Sequence, residues 1–112
     1  MLTSEKSKLS GEVNIVFVDN PHIRKLNKNF LNENGETDVI AFGYDEGADV
    51  FISVPVARGN ARRFDDTPAR ELIRLVVHGL LHVLGYTDHK SGARKIMWKK
   101  QEHLVNRLLP IR

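Results

Sequence analysis

Hydrophobic and polar positions follow two periods along the chain, and the switches between them mark out the elements. Residues 1–10 are polar without periodicity and read as a frayed start. Residues 11–18 are rich in β-branched side chains between Gly11 and Asp19-Asn20, which predicts a strand. Asn20 then caps, and Pro21 opens, a helix through Leu31, with Ile23, Leu26, Asn27 and Phe30 at helical spacing. Alternation returns over residues 38–44 and 49–54, and the short Asp45-Glu46-Gly47-Ala48 link makes these two strands a hairpin. Pro55 ends the second strand and starts a short helix to about Phe64.

The densest apolar stretch comes next. Thr67 or Asp66 caps it, Pro68 suits the first helical turn, and Glu71 lies early enough to favour the positive end of the dipole. From Leu72 to Leu84 apolar residues occupy almost every face, so this helix should be enclosed by protein. Gly85 falls where a left-handed C-terminal cap is wanted, and such a cap turns Thr87, Asp88 and His89 back toward the helix. Ser91 caps a last helix through Leu109, with Ile96, Met97, Lys100, Leu104 and Leu108 along one side and Trp98 and Val105 flanking it. The expected class is α+β: a small mixed β-sheet packed with helices around one buried central helix.

Composition bounds this further. At 112 residues, 41% hydrophobic and 28% charged, residues 1–112 make a single domain. There is no cysteine, so a metal would have to be held by His and carboxylate, and nothing points to an oxidising compartment. No apolar run is long enough to span a bilayer and no signal-peptide core is present, so a cytoplasmic location is the default. The net charge of +3 favours an anionic partner.

The candidate chemistry sits in the central helix. His78 and His82, at i and i+4, project from one face about a turn apart, close enough for both imidazoles to reach one metal ion. Two neutral imidazoles in apolar surroundings need partners, and Asp88 and His89 after the glycine stop supply more ligand chemistry. The peptidase pattern H-E-x-x-H places a glutamate base after its first His; here Gly79 stands there and cannot take a proton. A zinc ion on two His plus Asp88 or His89 would keep one position for a water whose pKa drops toward about 7, a nucleophile suited to phosphodiesters. Gly79 leaves room for a bulky substrate or reflects close helix packing. Arg58, Arg62 and Arg63 on the short helix are either a solvated face or the cations that receive a substrate phosphate. Lys90, Arg94, Lys95, Lys99 and Lys100 crowd the start of the last helix, where the dipole gains nothing from cations, and so suit a partner.

These residues also carry a family resemblance. The stretch HGLLHVLGYTDH resembles the signature H-G-x-L-H-x-x-G-Y-D-H of the YbeY family, bacterial zinc-dependent endoribonucleases of ribosomal RNA maturation. TDVIAFGY followed by DVFIS is similar to that family's two central strands, and the resemblance spans roughly residues 12–105. It implies His78 and His82 as zinc ligands, with the third ligand falling on Asp88 because the ending here is Tyr-Thr-Asp-His; His89 is the imidazole one residue on. It further implies a single-stranded or ribosomal RNA substrate, an association with the small ribosomal subunit and no membrane. Two departures stand out. Leu31 occupies the position of an arginine thought to serve catalysis in the family, and the short N-terminus leaves no room for the further helix with which members usually begin. The alternatives are a non-cleaving ribosome-assembly factor with a structural zinc, which Leu31 favours, and a metallopeptidase-like hydrolase.

Overall fold

A computed structural model describes residues 11–31, 37–87 and 90–109, with Phe30 and Leu31 described by backbone alone. Its described elements are β1 (Val13–Val18), α1 (Asn20–Leu31), β2 (Val39–Tyr44), β3 (Gly47–Ser53), α2 (Val54–Arg63), α3 (Pro68–Val83) and α4 (Ser91–Leu108). The strands form one sheet in the order β1-β3-β2. β1 runs parallel to β3 and reaches it through α1 and β2, whereas β2 and β3 form the expected antiparallel hairpin across a two-residue turn at Asp45-Glu46. The mixed sheet with helices is the anticipated α+β class, and no described helix is long and apolar enough to cross a membrane.

The sheet is apolar on the side that meets α3. Ala48, Val50 and Ile52 of β3 are fully buried and pack with Leu75 and Leu80 of α3 and Ala57 of α2. On the far side of α3, Val77 and Leu81 pack with Met97, Leu104 and Val105 of α4. Thus α3 is sandwiched between sheet and α4, each fully buried aliphatic side chain contributing about 1.5–3 kcal/mol. Its enclosure ends at the last turn, where His82 is exposed.

What lets α3 lie so close to the sheet is Gly79. A Cβ there would stand 3.1 Å from Val50 Cγ1, 3.2 Å from Val39 Cγ2 and 3.3 Å from Ala41 Cβ. Of the two sequence readings of this glycine, close packing is the one the contacts bear out; the glycine faces the sheet and not an open site.

Local chemistry corrects the element ends. Asp19, not Asn20, caps α1, its Oδ1 accepting from His22 N–H at 3.0 Å. Asn20 instead accepts from Ser53 Oγ at 2.7 Å, joining the start of α1 to the end of β3, while Ser53 accepts from Val56 N–H and so caps α2. Thr67 caps α3 by accepting from Arg70 N–H. Lys90 rather than Ser91 occupies the N-cap of α4, without a side-chain cap bond. The buried stripe of α4 is also rotated from expectation: Met97, Gln101, Leu104 and Val105 are buried, whereas Ile96 and Leu108 face outward. Apolar character alone misplaced them because His78 and Arg74 hold Gln101 and Glu102 toward α3 and so set the rotation of α4.

Two glycines provide a matched stability test. Gly79→Ala should destabilise by about 1 kcal/mol, because overpacking against three side chains outweighs the gain in helix propensity. Gly59→Ala, in α2 with no atom within 4 Å of its added methyl, should stabilise by about 0.5–1 kcal/mol. Urea unfolding of the two variants should move the midpoint in opposite directions.

Candidate metal centre and its cavity

The two imidazoles meet edge to face, with ring centroids 4.6 Å apart and planes at 80°. Their Nε2 atoms face each other at 3.0 Å. The other ring nitrogens are held from opposite directions. The α3 terminus is a Schellman turn: Gly85 adopts φ 104°, its N–H bonds His82 O, and Tyr86 N–H reaches back to Leu81 O. That turn brings the Tyr86 carbonyl 3.1 Å from His82 Nδ1. A carbonyl only accepts, so His82 carries its proton on Nδ1.

His78 is oriented from α4. Its Nδ1 lies 2.7 Å from Gln101 Oε1, and Gln101 Nε2 donates to Glu102 Oε2 at 3.1 Å. A carboxylate can only accept, which fixes the amide orientation of Gln101 and hence puts a proton on His78 Nδ1. In the neutral rings both Nε2 atoms are therefore lone-pair donors directed at one another. Two imidazole nitrogens sharing a tetrahedral zinc at about 2.0–2.1 Å stand roughly 3.3 Å apart, close to the separation seen here. The donor set thus fits a zinc ion. Among the described residues no third His, Asp or Glu joins the pair; Asp88 and His89, the expected third ligands, lie outside the described residues, as does the side chain of Leu31.

Behind Gln101 stands a half-buried ion cluster with Glu71 at its buried end. Arg74 donates to Glu102 (2.9 Å), Glu71 (2.8 Å) and Asp66 (3.1 Å), linking α3, α4 and the turn before α3. Glu71 is only 4% exposed, so it serves this cluster and not the helix dipole alone. The bond to Glu102 raises the Arg74 pKa above its ordinary value; burial opposes this, and the bonds to Glu71 and Asp66 reinforce it. Burial works against ionisation of Asp66, but the Thr67 N–H and the Arg74 and Arg70 guanidinium groups outweigh it and hold its carboxyl below the usual value.

A cavity of about 490 Å³ opens beside His78, lined also by Gln101 and Arg74 and by the exposed Phe64 and Trp98; His82 does not line it. Arg58, Arg62 and Arg63 are exposed on α2 and do not line it; Arg63 lies over the Phe64 ring at 5.9 Å. Of the basic residues of α4, Arg94 lines the cavity. Sequence reasoning missed Gln101, Arg74 and Glu71, although a glutamine at the spacing of Met97, Leu104 and Val105 was a readable sign of a buried polar partner.

The chain matches the family model described as Endoribonuclease YbeY over residues 1–109. It is 36% identical to Endoribonuclease YbeY of Chlorobaculum tepidum, covering 96% of this chain and 82% of that protein. It is 39% identical to Endoribonuclease YbeY of Acholeplasma laidlawii, covering 89% and 77%. It also resembles the solution structure of a Thermotoga maritima protein with a TM-score of 0.66 and 29% identity, covering 94% of this chain and 71% of that one.

Replacing Arg74 by Met should cost about 1–3 kcal/mol in urea unfolding, because it leaves the buried Glu71 and the half-buried Asp66 and Glu102 without their cation. Asp66 ionises more readily folded than unfolded, so its contribution is present above the ordinary carboxylate value of about 4 and is lost as pH falls through the lower folded value. Acid unfolding of Asp66→Asn should accordingly show a shallower limb below about pH 4 than the parent. In metal-free protein, ¹⁵N imidazole spectra should report both histidines protonated at Nδ1, and Gln101→Leu should shift His78, and not His82, toward a tautomer mixture.

Proposed function

This chain belongs to the YbeY endoribonuclease family, and from that premise we propose that it is a zinc-dependent, single-strand-specific endoribonuclease acting in ribosomal RNA maturation and ribosome assembly in the cytoplasm. The endoribonuclease role follows from the family. The finer reading is carried by one observation, the facing Nε2 atoms of His78 and His82 with both Nδ1–H groups bound to acceptors.

His78 and His82 hold the ion, and Asp88, with His89 second, completes the set. Zinc bound there supplies a Lewis acid that lowers the pKa of water toward neutrality and polarises a phosphoryl oxygen. The chain's own residues do the rest. Gln101 and the Tyr86 carbonyl keep the two rings in the tautomer that binds a cation, so no proton has to be displaced from Nε2 when it arrives. Gly79, turned to the sheet, contributes no general base, which separates this site from H-E-x-x-H peptidases. Arg58, Arg62, Arg63 and the lysines of α4 receive the phosphates along the strand. A second reading, a non-cleaving assembly factor with structural zinc bound to the small ribosomal subunit, is favoured by Leu31 at the family's arginine position.

Purified protein should contain about one equivalent of zinc, and His78→Ala or His82→Ala should lose it; metal-free protein never exposed to chelator would sink the metal reading. Under chelator challenge Asp88→Ala should lose zinc faster than His89→Ala, and the reverse order would reassign the third ligand. Zinc-loaded protein should cut single-stranded RNA and leave duplex RNA and casein intact, with RNA affinity falling about 10³-fold or more between 50 and 200 mM salt if six or more phosphates are neutralised. Stoichiometric zinc with tight RNA binding and no cleavage would establish the second reading.

A further inference from the structure

We propose that the cavity beside His78 is a nucleobase site, in which Phe64 and Trp98 stack on an unpaired base of single-stranded RNA and the Asp38 carboxylate accepts a hydrogen bond from that base's exocyclic amino group. The proposal rests on the endoribonuclease reading and adds the part of the substrate held next to the histidine pair.

Phe64 is 67% exposed and Trp98 57% exposed, yet both line the same cavity as His78. Leaving two large rings in water gives the fold nothing, and their backbones are firmly placed. Phe64 N–H bonds Asn60 O at 3.0 Å in a turn completed by Asp65 at φ 54° and by the Asp66 N–H to Ala61 O bond. Trp98 lies on α4 three residues before Gln101, whose side chain is held inside. Rings on rigid supports facing an open cavity are the arrangement that accepts a stacked base, because every base presents a π-face. The volume of about 490 Å³ falls in the range of about 300–1,000 Å³ typical of small-ligand sites.

Charge identifies the part of a nucleotide that enters. Three of the lining carboxylates, Asp66, Glu71 and Glu102, are occupied by Arg74. Asp38 also lines the cavity, and its backbone carbonyl is pinned by Ser53 N–H at 2.9 Å. Among the described residues its carboxylate has no hydrogen bond or ion pair. An uncompensated carboxylate repels a phosphate and accepts from an amino group. The sugar-phosphate strand therefore stays at the mouth, toward the exposed Arg94 of the lining and the exposed arginines of α2, while the base points in past them to Asp38. Adenine, cytosine and guanine carry an amino group for Asp38, whereas uracil offers carbonyl acceptors in its place.

Trp98 is the only tryptophan of the chain, so its fluorescence reads the site directly. Zinc-loaded protein is titrated with short 2′-O-methyl oligonucleotides of adenosine, cytidine or uridine, and with an abasic strand of equal length and charge. Adenosine and cytidine strands should quench Trp98 and bind about tenfold more tightly than the uridine strand, while the abasic strand leaves the emission unchanged. By anisotropy of a labelled adenosine strand, Phe64→Ala and Trp98→Ala should each weaken binding about tenfold; both rings are exposed, so unfolding midpoints should hold. Asp38→Asn should erase the preference against uridine. Equal quenching by the abasic strand, or ring variants that bind the adenosine strand as tightly as the parent, would overturn the base site while cleavage of single-stranded RNA by the parent keeps the nuclease reading intact. A parent that neither binds nor cuts single-stranded RNA overturns both.

Discussion

The guanidinium of Arg74 meets three carboxylates contributed by three different parts of the chain, and this ion cluster ties the site to the scaffold. Asp66 closes the turn that enters α3, Glu71 belongs to α3 itself, and Glu102 comes from α4. A half-buried charge with three partners is held in place, and the pairing across to Glu102 resists sliding of α4 along α3. Glu102 then accepts from Gln101, and Gln101 accepts from His78. The orientation of one imidazole is thus set by a chain of donors and acceptors that begins at Arg74, one turn before His78 on α3, and returns to it through Glu102 and Gln101 of α4.

Among the described residues, Nδ1 of the second imidazole is held by backbone. A left-handed Gly85 lets the α3 terminus fold into a Schellman turn, and the same turn that satisfies the last carbonyls presents the Tyr86 carbonyl to His82. One histidine is locked by side chains of a neighbouring helix and the other by its own helix cap, and both end with Nε2 toward the same point. With this preorganisation a cation arriving at the pair would meet lone pairs already aimed and would not have to select a tautomer.

Charge is divided around the cavity in a way that suits an RNA ligand. Among the described residues four carboxylates line the cavity, three of them neutralised by Arg74, and exposed cations border it: Arg94 in the lining itself, and other exposed arginines and lysines of α2 and α4 around it. A polyanion approaching such a surface is drawn to its rim and not into its depth, so what enters the cavity is the uncharged part of the strand. Family membership supplies the endoribonuclease role; the division of charge says how a strand would be presented to the histidine pair.

Local pattern determined the elements and the juxtaposition of the two candidate histidines. Period-two and period-3.6 repeats located the strands and helices within a residue or two, and the i,i+4 histidines and Gly85 cap were readable because helix geometry alone fixes which residues share a face and where a left-handed turn is needed. The family signature was readable for the same reason, being contained in one continuous stretch. Tertiary structure alone decided what no local rule contains. Gly79 proved to be a packing contact because the sheet, distant in sequence, passes within van der Waals reach. Glu71 and Gln101 are buried and Ile96 is exposed because polar partners across α3 and α4 outweigh hydrophobicity at those positions. The tautomers of both histidines depend on acceptors 23 and 4 residues away, and which acceptor faces a given nitrogen is settled only when the helices pack.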